Sequence, residues 1–211
     1  MINKWLSICF LNLVLLITNC FTCAAGQGVL GVDRELNLDQ SGVWARKYQL
    51  GLEYGSAAAV LGGALWLGSE SRLGQTFWKS TDSMLVADVS ATVLKEIFRR
   101  QRPVDGNDSN SWFGSSKNAS FPSGEVTHIT SIATPFIAEY HQDNPAVWAL
   151  ALLPIYDGEA RLKSQAHWQS DVIAGMALGV ASGLWAHNEN QSFAAGILPR
   201  GFSVEFRKSF N

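Results

Sequence analysis

Apolar residues recur at helical spacing over five stretches of this chain, residues 45–67, 76–100, 123–140, 145–156 and 167–187, and each is predicted to form a helix. Only Pro135 and Pro154 interrupt the interiors of these stretches. Between the second and third, residues 104–118 are rich in Asp, Asn, Ser and Gly, a loop long enough to be functional or mobile. Residues 26–44 keep no sustained period and read as an extended segment. Residues 201–207 alternate apolar and polar positions at strand period. A lone strand cannot close a barrel, so it reads as an edge strand or a packed tail. The pattern predicts an all-α bundle of about five to six helices, with 45–190 as the domain and 191–211 as its tail.

Composition fits one globular domain: the chain has 211 residues, 47% hydrophobic and 16% charged. With Lys+Arg 16 against Asp+Glu 18, the formal charge of −2 offers no broad attraction for nucleic acid, which is not expected as a partner. Residues 1–25 look like an export signal: Lys4 gives a short positive region, residues 5–21 are largely apolar, and Cys23-Ala24-Ala25 supplies small residues for cleavage. The expectation is an exported, periplasmic protein, with an uncleaved membrane anchor as the alternative. Cys9, Cys20 and Cys23 all lie in that leader, so the mature chain would hold no disulfide, thiolate metal site or nucleophilic cysteine. The most apolar internal runs, 57–67 and 172–186, are Ala/Gly-rich and shorter than the roughly 20 residues of a spanning helix. That favours a soluble or membrane-peripheral bundle with closely packed helices. The pattern specifies no oligomeric state.

Chemistry concentrates in three places. Lys95 and Arg102 lie seven residues apart, about two helical turns, so on one helix both project from nearly the same side, with Arg99 close to that line, before Pro103 ends the helix. Cations at a helix C-terminus also suit the macrodipole, which is the ordinary reading of such a row. Pro122-Ser123-Gly124-Glu125 opens a helix directly after the polar loop, where the Ser123 hydroxyl and bare N–H groups make either an anion site or a simple N-cap. Arg161, His167 and Asp171 follow; His and Asp at i and i+4 share a helix face, so the carboxylate accepts from one ring nitrogen and leaves a lone pair on the other. An imidazole oriented in this way is a nucleophile or a base.

Taken together, these segments resemble the type-2 phosphatidic acid phosphatase superfamily, which includes bacterial class A acid phosphatases and vanadium haloperoxidases. The family signature runs Lys, six residues, Arg-Pro; then Pro-Ser-Gly-His; then Ser-Arg, five residues, His, three residues, Asp. Here it reads Lys95 to Arg102-Pro103, Pro122-Ser123-Gly124-Glu125, and Ala160-Arg161 to His167 and Asp171, followed by Val172-Ile173-Ala174-Gly175. The resemblance implies a phosphohydrolase without metal or cofactor on that family's helical fold. Lys95, Arg102, Arg161, Ser123 and the Gly124 amide would hold the phosphoryl oxygens, and His167 would attack phosphorus to give a phosphohistidine, with Asp171 fixing its tautomer. The implied substrates are phosphate monoesters or pyrophosphates, of small molecules or lipids, with residues 104–118 expected to shape the choice. Arg99 has no counterpart in the signature and reads as a surface residue.

Two positions depart from the signature. Ala160 replaces a Ser, a mild loss. Glu125 replaces the His that protonates the leaving-group oxygen in the family. The helix dipole favours Glu125 as the anion, while a bound phosphate dianion favours its protonated form, so Glu125 is expected to serve as the acid at mildly acidic pH. His128, one turn further along and close to the same face, is the substitute candidate, against its ordinary reading as a core histidine. The alternatives are a non-catalytic binder of phosphate or lipid phosphate, and a haloperoxidase holding vanadate in the same cradle. Glu125 and His128 also have the Glu-x-x-His spacing of di-iron bundles, but such sites need a second copy of the motif and two further Glu, and no second copy exists.

Overall fold

Four helices form close to where the apolar period predicts them, and the stretch predicted at 145–156 becomes α-helical only from Leu152. The computed structural model describes residue 28 and residues 31–114 and 119–197. Its helices are α1 (Arg46–Leu67), α2 (Arg72–Phe98), α3 (Gly124–Tyr140), α4 (Leu152–Lys163), α5 (Gln169–Asn188) and the short α6 (Phe193–Ile197), with 3-10 turns at Gly42–Trp44, Pro103–Asp105 and Pro145–Ala151. Among the described residues no strand forms, and the architecture is all-α. The leader expected at 1–25 and the strand predicted at 201–207 lie outside the described residues.

Ser71 starts α2, its Oγ accepting from Gly74 N at 3.0 Å. The helix stops at Phe98, with Arg99 in the left-handed conformation at φ 41°. The predicted helix to Arg100, carrying Lys95 and Arg102 on one side, is therefore corrected. Arg102 is extended (φ −81°, ψ 154°) because it precedes Pro103, whose ring disfavours helical backbone in its predecessor.

The stretch predicted at 145–156 also differs. Its first half is a 3-10 turn, and the α-helix runs from Leu152 to Lys163. Pro154 has no N–H to give the Leu150 carbonyl, which delays α-type pairing. Asp157-Gly158, which looks like a stop, stays helical because α5 packs there: a Cβ on Gly158 would lie 2.9 Å from Val172 Cγ1.

Helices α3 and α5 form the centre. Gly175 and Gly179, four apart on α5, let the backbones meet; a Cβ would lie 2.7 Å from Ser123 O at the first and 2.7 Å from Thr127 O at the second. Pro135 in α3 withholds the N–H that the Ser131 carbonyl would otherwise accept. The Ser83 hydroxyl of α2 fills that role at 2.9 Å, beside a Ser80 Oγ to Ile132 O bond of 2.8 Å. Helix α1 adds Val60 to Met84 and Ile132, and α6 places Ala194 on Ala64 and Trp78. Asp82 accepts from Phe193 N and Ala194 N at 3.0 Å each, so the start of the predicted tail is a docked helix.

Residues 31–40 form no helix and run across the end of α4 and the start of α5, while Gly42–Trp44, expected in the same extended segment, forms a 3-10 turn. Asp39 N donates to Lys163 O at 2.9 Å and Arg34 N to Gln169 Oε1 at 2.8 Å. Leu36 packs on the cluster of Val126, Leu162, Val172 and Met176, side chains whose burial contributes about 2 kcal/mol each.

Candidate active site

A cleft of about 410 Å³ opens where α1, α2, α3 and α4 meet the residues just before α5. Lys95, Arg102, Gly124, Glu125, His128, Arg161 and His167 all line it, together with Glu53, Tyr54, Asp88 and Thr92. Ser123 and Asp171 sit behind this lining.

Lys95, in the last turn of α2, donates through Nζ to Pro122 O at 2.6 Å and Ala119 O at 3.1 Å, which ties the 119–122 segment to the helix. Burial and the neighbouring Arg102 push its pKa down to about 8. Arg102 reaches the cleft from outside the helix and donates to Ala166 O at 3.3 Å. Arg161, in the last turn of α4, donates to Gln49 Oε1 at 3.0 Å and lies 3.5 Å from Glu125. The cations expected to share a helix face thus converge from separate elements. Ser123 is the N-cap of α3, and its buried Oγ makes no side-chain cap.

His167 is 3% exposed. Its Nδ1 lies 2.7 Å from Ser120 O and 3.8 Å from Asp171 Oδ2. The expected His167–Asp171 hydrogen bond is therefore corrected: Nδ1–H donates to the Ser120 carbonyl, which leaves the lone pair on Nε2. The reason is local. Trp168 is the N-cap of α5, so His167 precedes the helix, and Asp171 turns back to accept from Trp168 N at 2.9 Å. Asp171 also accepts from Ser120 Oγ and, at 2.5 Å, from Arg100. Burial disfavours its charge, but His167, Arg100 and Ser120 outweigh that and hold it below the ordinary carboxylate range. Burial, with the charges of Lys95, Arg161 and Arg102, pushes His167 down to about 3 against the pull of Asp171, so the imidazole is neutral near pH 7.

Glu125 accepts from both terminal nitrogens of Arg46, at 2.5 and 2.9 Å. His128 Nδ1 lies 3.1 and 3.0 Å from the two oxygens of Asp88. Burial disfavours the charged ring, but Asp88 outweighs it and raises the pKa of His128.

Sequence reasoning missed several residues here. Arg100 looks like one more cation in a C-terminal row; it is fully buried, 4.4 Å over the Trp112 ring. Arg99 beside it is exposed, as expected. Asp157 resembles half of an Asp-Gly turn, yet it is fully buried with no hydrogen bond to either oxygen, and burial, then Glu125, pushes it up to about 7. Arg46, Gln49 and Asp88 belong to no motif and are found only through contact. Residues 104–114 do not line the cleft; Trp112 stacks edge-on with Phe121 at 5.3 Å and Phe98 at 5.9 Å, which pins this part of the loop to α2.

The family model of the PAP2 superfamily matches residues 77–192. This chain belongs to the PAP2 superfamily. All the motif residues from Lys95 to Asp171 fall inside the PAP2 match. The chain is 33% identical over 116 residues to the lipid A 1-phosphatase of Porphyromonas gingivalis, covering 50% of this chain and 23% of that protein. It therefore spans about a quarter of that relative's length. Among solved structures it is similar to LpxE of Aquifex aeolicus, at 22% identity and a TM-score of 0.45, over 66% of this chain and 83% of that one.

Proposed function

We propose that this protein is a phosphohydrolase that removes phosphate from a phosphorylated lipid through His167, on the exported side of a membrane. The observation that carries the reading is a neutral imidazole held by its Nδ1 beside Lys95, Arg102 and Arg161 in one cleft. In the reaction Nε2 bonds to phosphorus as the bond to the leaving oxygen breaks, and the cations take up the phosphoryl charge. A proton from Glu125 or His128 goes to the leaving oxygen. Water then cleaves the N–P bond and releases phosphate, with no metal required.

Two features support a lipid. The 33% identical relative is a lipid A 1-phosphatase. Leu85, Val89, Val93 and Ile97, four apart on α2 next to the cleft residues Asp88, Thr92 and Lys95, are exposed, as are Leu61, Leu65 and Trp66 on α1. Helix α1 is long and apolar enough to cross a membrane, yet little of it is buried. In this reading these faces lie against lipid and bring the phosphate to the cleft. A second reading, a phosphate binder without turnover, is favoured by the engagement of Glu125 with Arg46.

The test is phosphate release from an aryl phosphate, phosphatidic acid and a polyprenyl pyrophosphate in detergent. The expected result is turnover of a lipid, lost in His167→Ala and unchanged by chelator. Activity in His167→Ala, or loss with chelator restored by added metal, overturns the mechanism. Phosphate binding without turnover of any substrate establishes the second reading.

A further inference from the structure

The lining of the cleft does not explain what holds His167 from behind. Ser120 is clamped on three sides: its N donates to Arg100 O at 2.8 Å, its Oγ to Asp171 Oδ2, and its carbonyl receives the His167 Nδ1–H. The Arg100 backbone carbonyl thus holds the acceptor of the imidazole proton, and its guanidinium meets, at 2.5 Å, the Asp171 carboxylate, which Trp168 N and Ser120 Oγ also hold. Its other terminal nitrogen meets Asp33 at 2.6 Å, and Asp33 also accepts from Ser170 N and Ser170 Oγ at 2.8 Å each. The side chains of Arg100, Asp33 and Asp171 are all 0% exposed.

One guanidinium thus sits between two carboxylates in a dry site. If Arg100 had Asp171 as its sole partner, the pair would be neutral and nothing behind the imidazole would answer the charge it gains. Attack of Nε2 on phosphorus makes the ring a cation, with Nδ1–H still on Ser120. A second carboxylate on Arg100 leaves the cluster with one net negative charge at that moment. Asp33 supplies it from the segment before α1, outside every motif of the sequence.

We infer that Asp33 is a positioning residue for the His167 nucleophile: by engaging Arg100 it leaves the charge of Asp171 to the imidazole. The inference rests on the phosphohydrolase reading. It makes the 31–40 segment part of the catalytic apparatus and predicts that activity follows the net charge of the cluster. Asp33→Asn brings that charge to zero, Asp33→Asn/Arg100→Gln restores it, and Ser170→Ala disturbs the same hydrogen bonds without changing it.

The experiment compares these three variants with the native protein for aryl phosphate turnover, for binding of inorganic phosphate and of vanadate by calorimetry, and for Tm. Phosphate reads the cations, whereas vanadate, which can expand its coordination, would also report the imidazole nitrogen. The expected result for Asp33→Asn is a fall in kcat of about tenfold or more with KM and phosphate affinity within about twofold. The double variant recovers most of kcat, and Ser170→Ala loses Tm while kcat stays within about twofold. Unchanged kcat in Asp33→Asn, no recovery in the double variant, or an equal loss in Ser170→Ala overturns the inference. Should Asp33→Asn fail to fold, the charge-restored double variant decides: near-native kcat supports the inference, and a loss of about tenfold or more at full phosphate affinity overturns it. Absence of turnover in the native protein counts against the phosphohydrolase reading instead. The ratio of vanadate to phosphate affinity then tests Asp33 by itself, falling about tenfold in Asp33→Asn and returning in the double variant.

Discussion

Two buried groups in the site make opposite demands on proton binding, and separating them tests whether His167 is the neutral imidazole its role needs. His167 falls from an ordinary 6.5 to about 3 on burial. Between those values the unfolded chain binds a proton that the folded protein refuses. Its contribution to stability is therefore complete above pH 6.5 and lost as pH falls toward 3, about 5 kcal/mol at 1.36 kcal/mol per pH unit. Asp157 rises from 3.8 to about 7 through burial and then the charge of Glu125. Here the folded protein holds the extra proton, so the contribution is complete below pH 3.8 and lost as pH rises to 7, about 4 kcal/mol. Over the shared window from pH 6.5 to 4 the two nearly cancel. Urea denaturation at pH 4, 5 and 6.5 exposes each in turn. Relative to the native protein, Asp157→Asn should lose about 3 kcal/mol on going from pH 6.5 to 4, and His167→Gln should gain about 3 kcal/mol over the same interval. Variants that run parallel to the native protein within about 1 kcal/mol would refute both the neutral His167 and the protonated Asp157.

Lys95 loses its charge near pH 8, so kcat/KM for an aryl phosphate should fall above that pH, and Lys95→Arg, which keeps its charge, should move the fall well above it; an unmoved limb removes Lys95 from the cradle. Glu125→Gln should lower turnover of a lipid phosphate more than His128→Ala, with little effect of either on an aryl phosphate whose leaving group needs no acid, and the reverse ranking assigns the acid to His128. Gly179→Ala should cost about 1–3 kcal/mol in urea denaturation, because its Cβ meets the Thr127 carbonyl at 2.7 Å, whereas Gly62→Ala, with open space around it, should stabilise α1 by up to about 1 kcal/mol.

The long helices were legible from their apolar period, but which face each buries was not: α2 buries Ser80, Thr81, Asp82 and Ser83 and exposes Leu85, Val89, Val93 and Ile97. The site residues were legible as types and spacings, less so as geometry. Lys95 and Arg102 do meet, but Pro103 forces Arg102 out of the helix, so two-turn spacing gave the right partners by the wrong route. His167 and Asp171 are four apart, yet the helix begins between them, and the imidazole turns to a backbone carbonyl that no side-chain pattern encodes. Arg100 and Asp33 were invisible for a related reason: sequence cannot tell a solvated cation from one buried between two carboxylates 67 and 71 residues away.

Glu125 sharpens the same point. A carboxylate stands in the cleft wall where the family signature has a histidine, and in the proposed reading it would face a phosphate dianion, a contact that at about 4 Å costs about 4 kcal/mol per charge pair at an effective dielectric of 20. Arg46 offsets this, with both terminal nitrogens on Glu125, and Gln49 Oε1 receives Arg46 at 3.1 Å and Arg161 at 3.0 Å, holding the two guanidiniums around the carboxylate. In the proposed reading this leaves more of the positive potential of Lys95, Arg102 and Arg161 to the substrate. Both compensating residues lie on α1, which carries no residue of the motif and also presents the exposed Leu65 and Trp66. One helix thus balances the charge of the cleft at its start and offers an apolar face at its end. In the proposed reading, lipid docked on that face would bear on the same helix whose Arg46 holds Glu125, one of the two candidate proton donors.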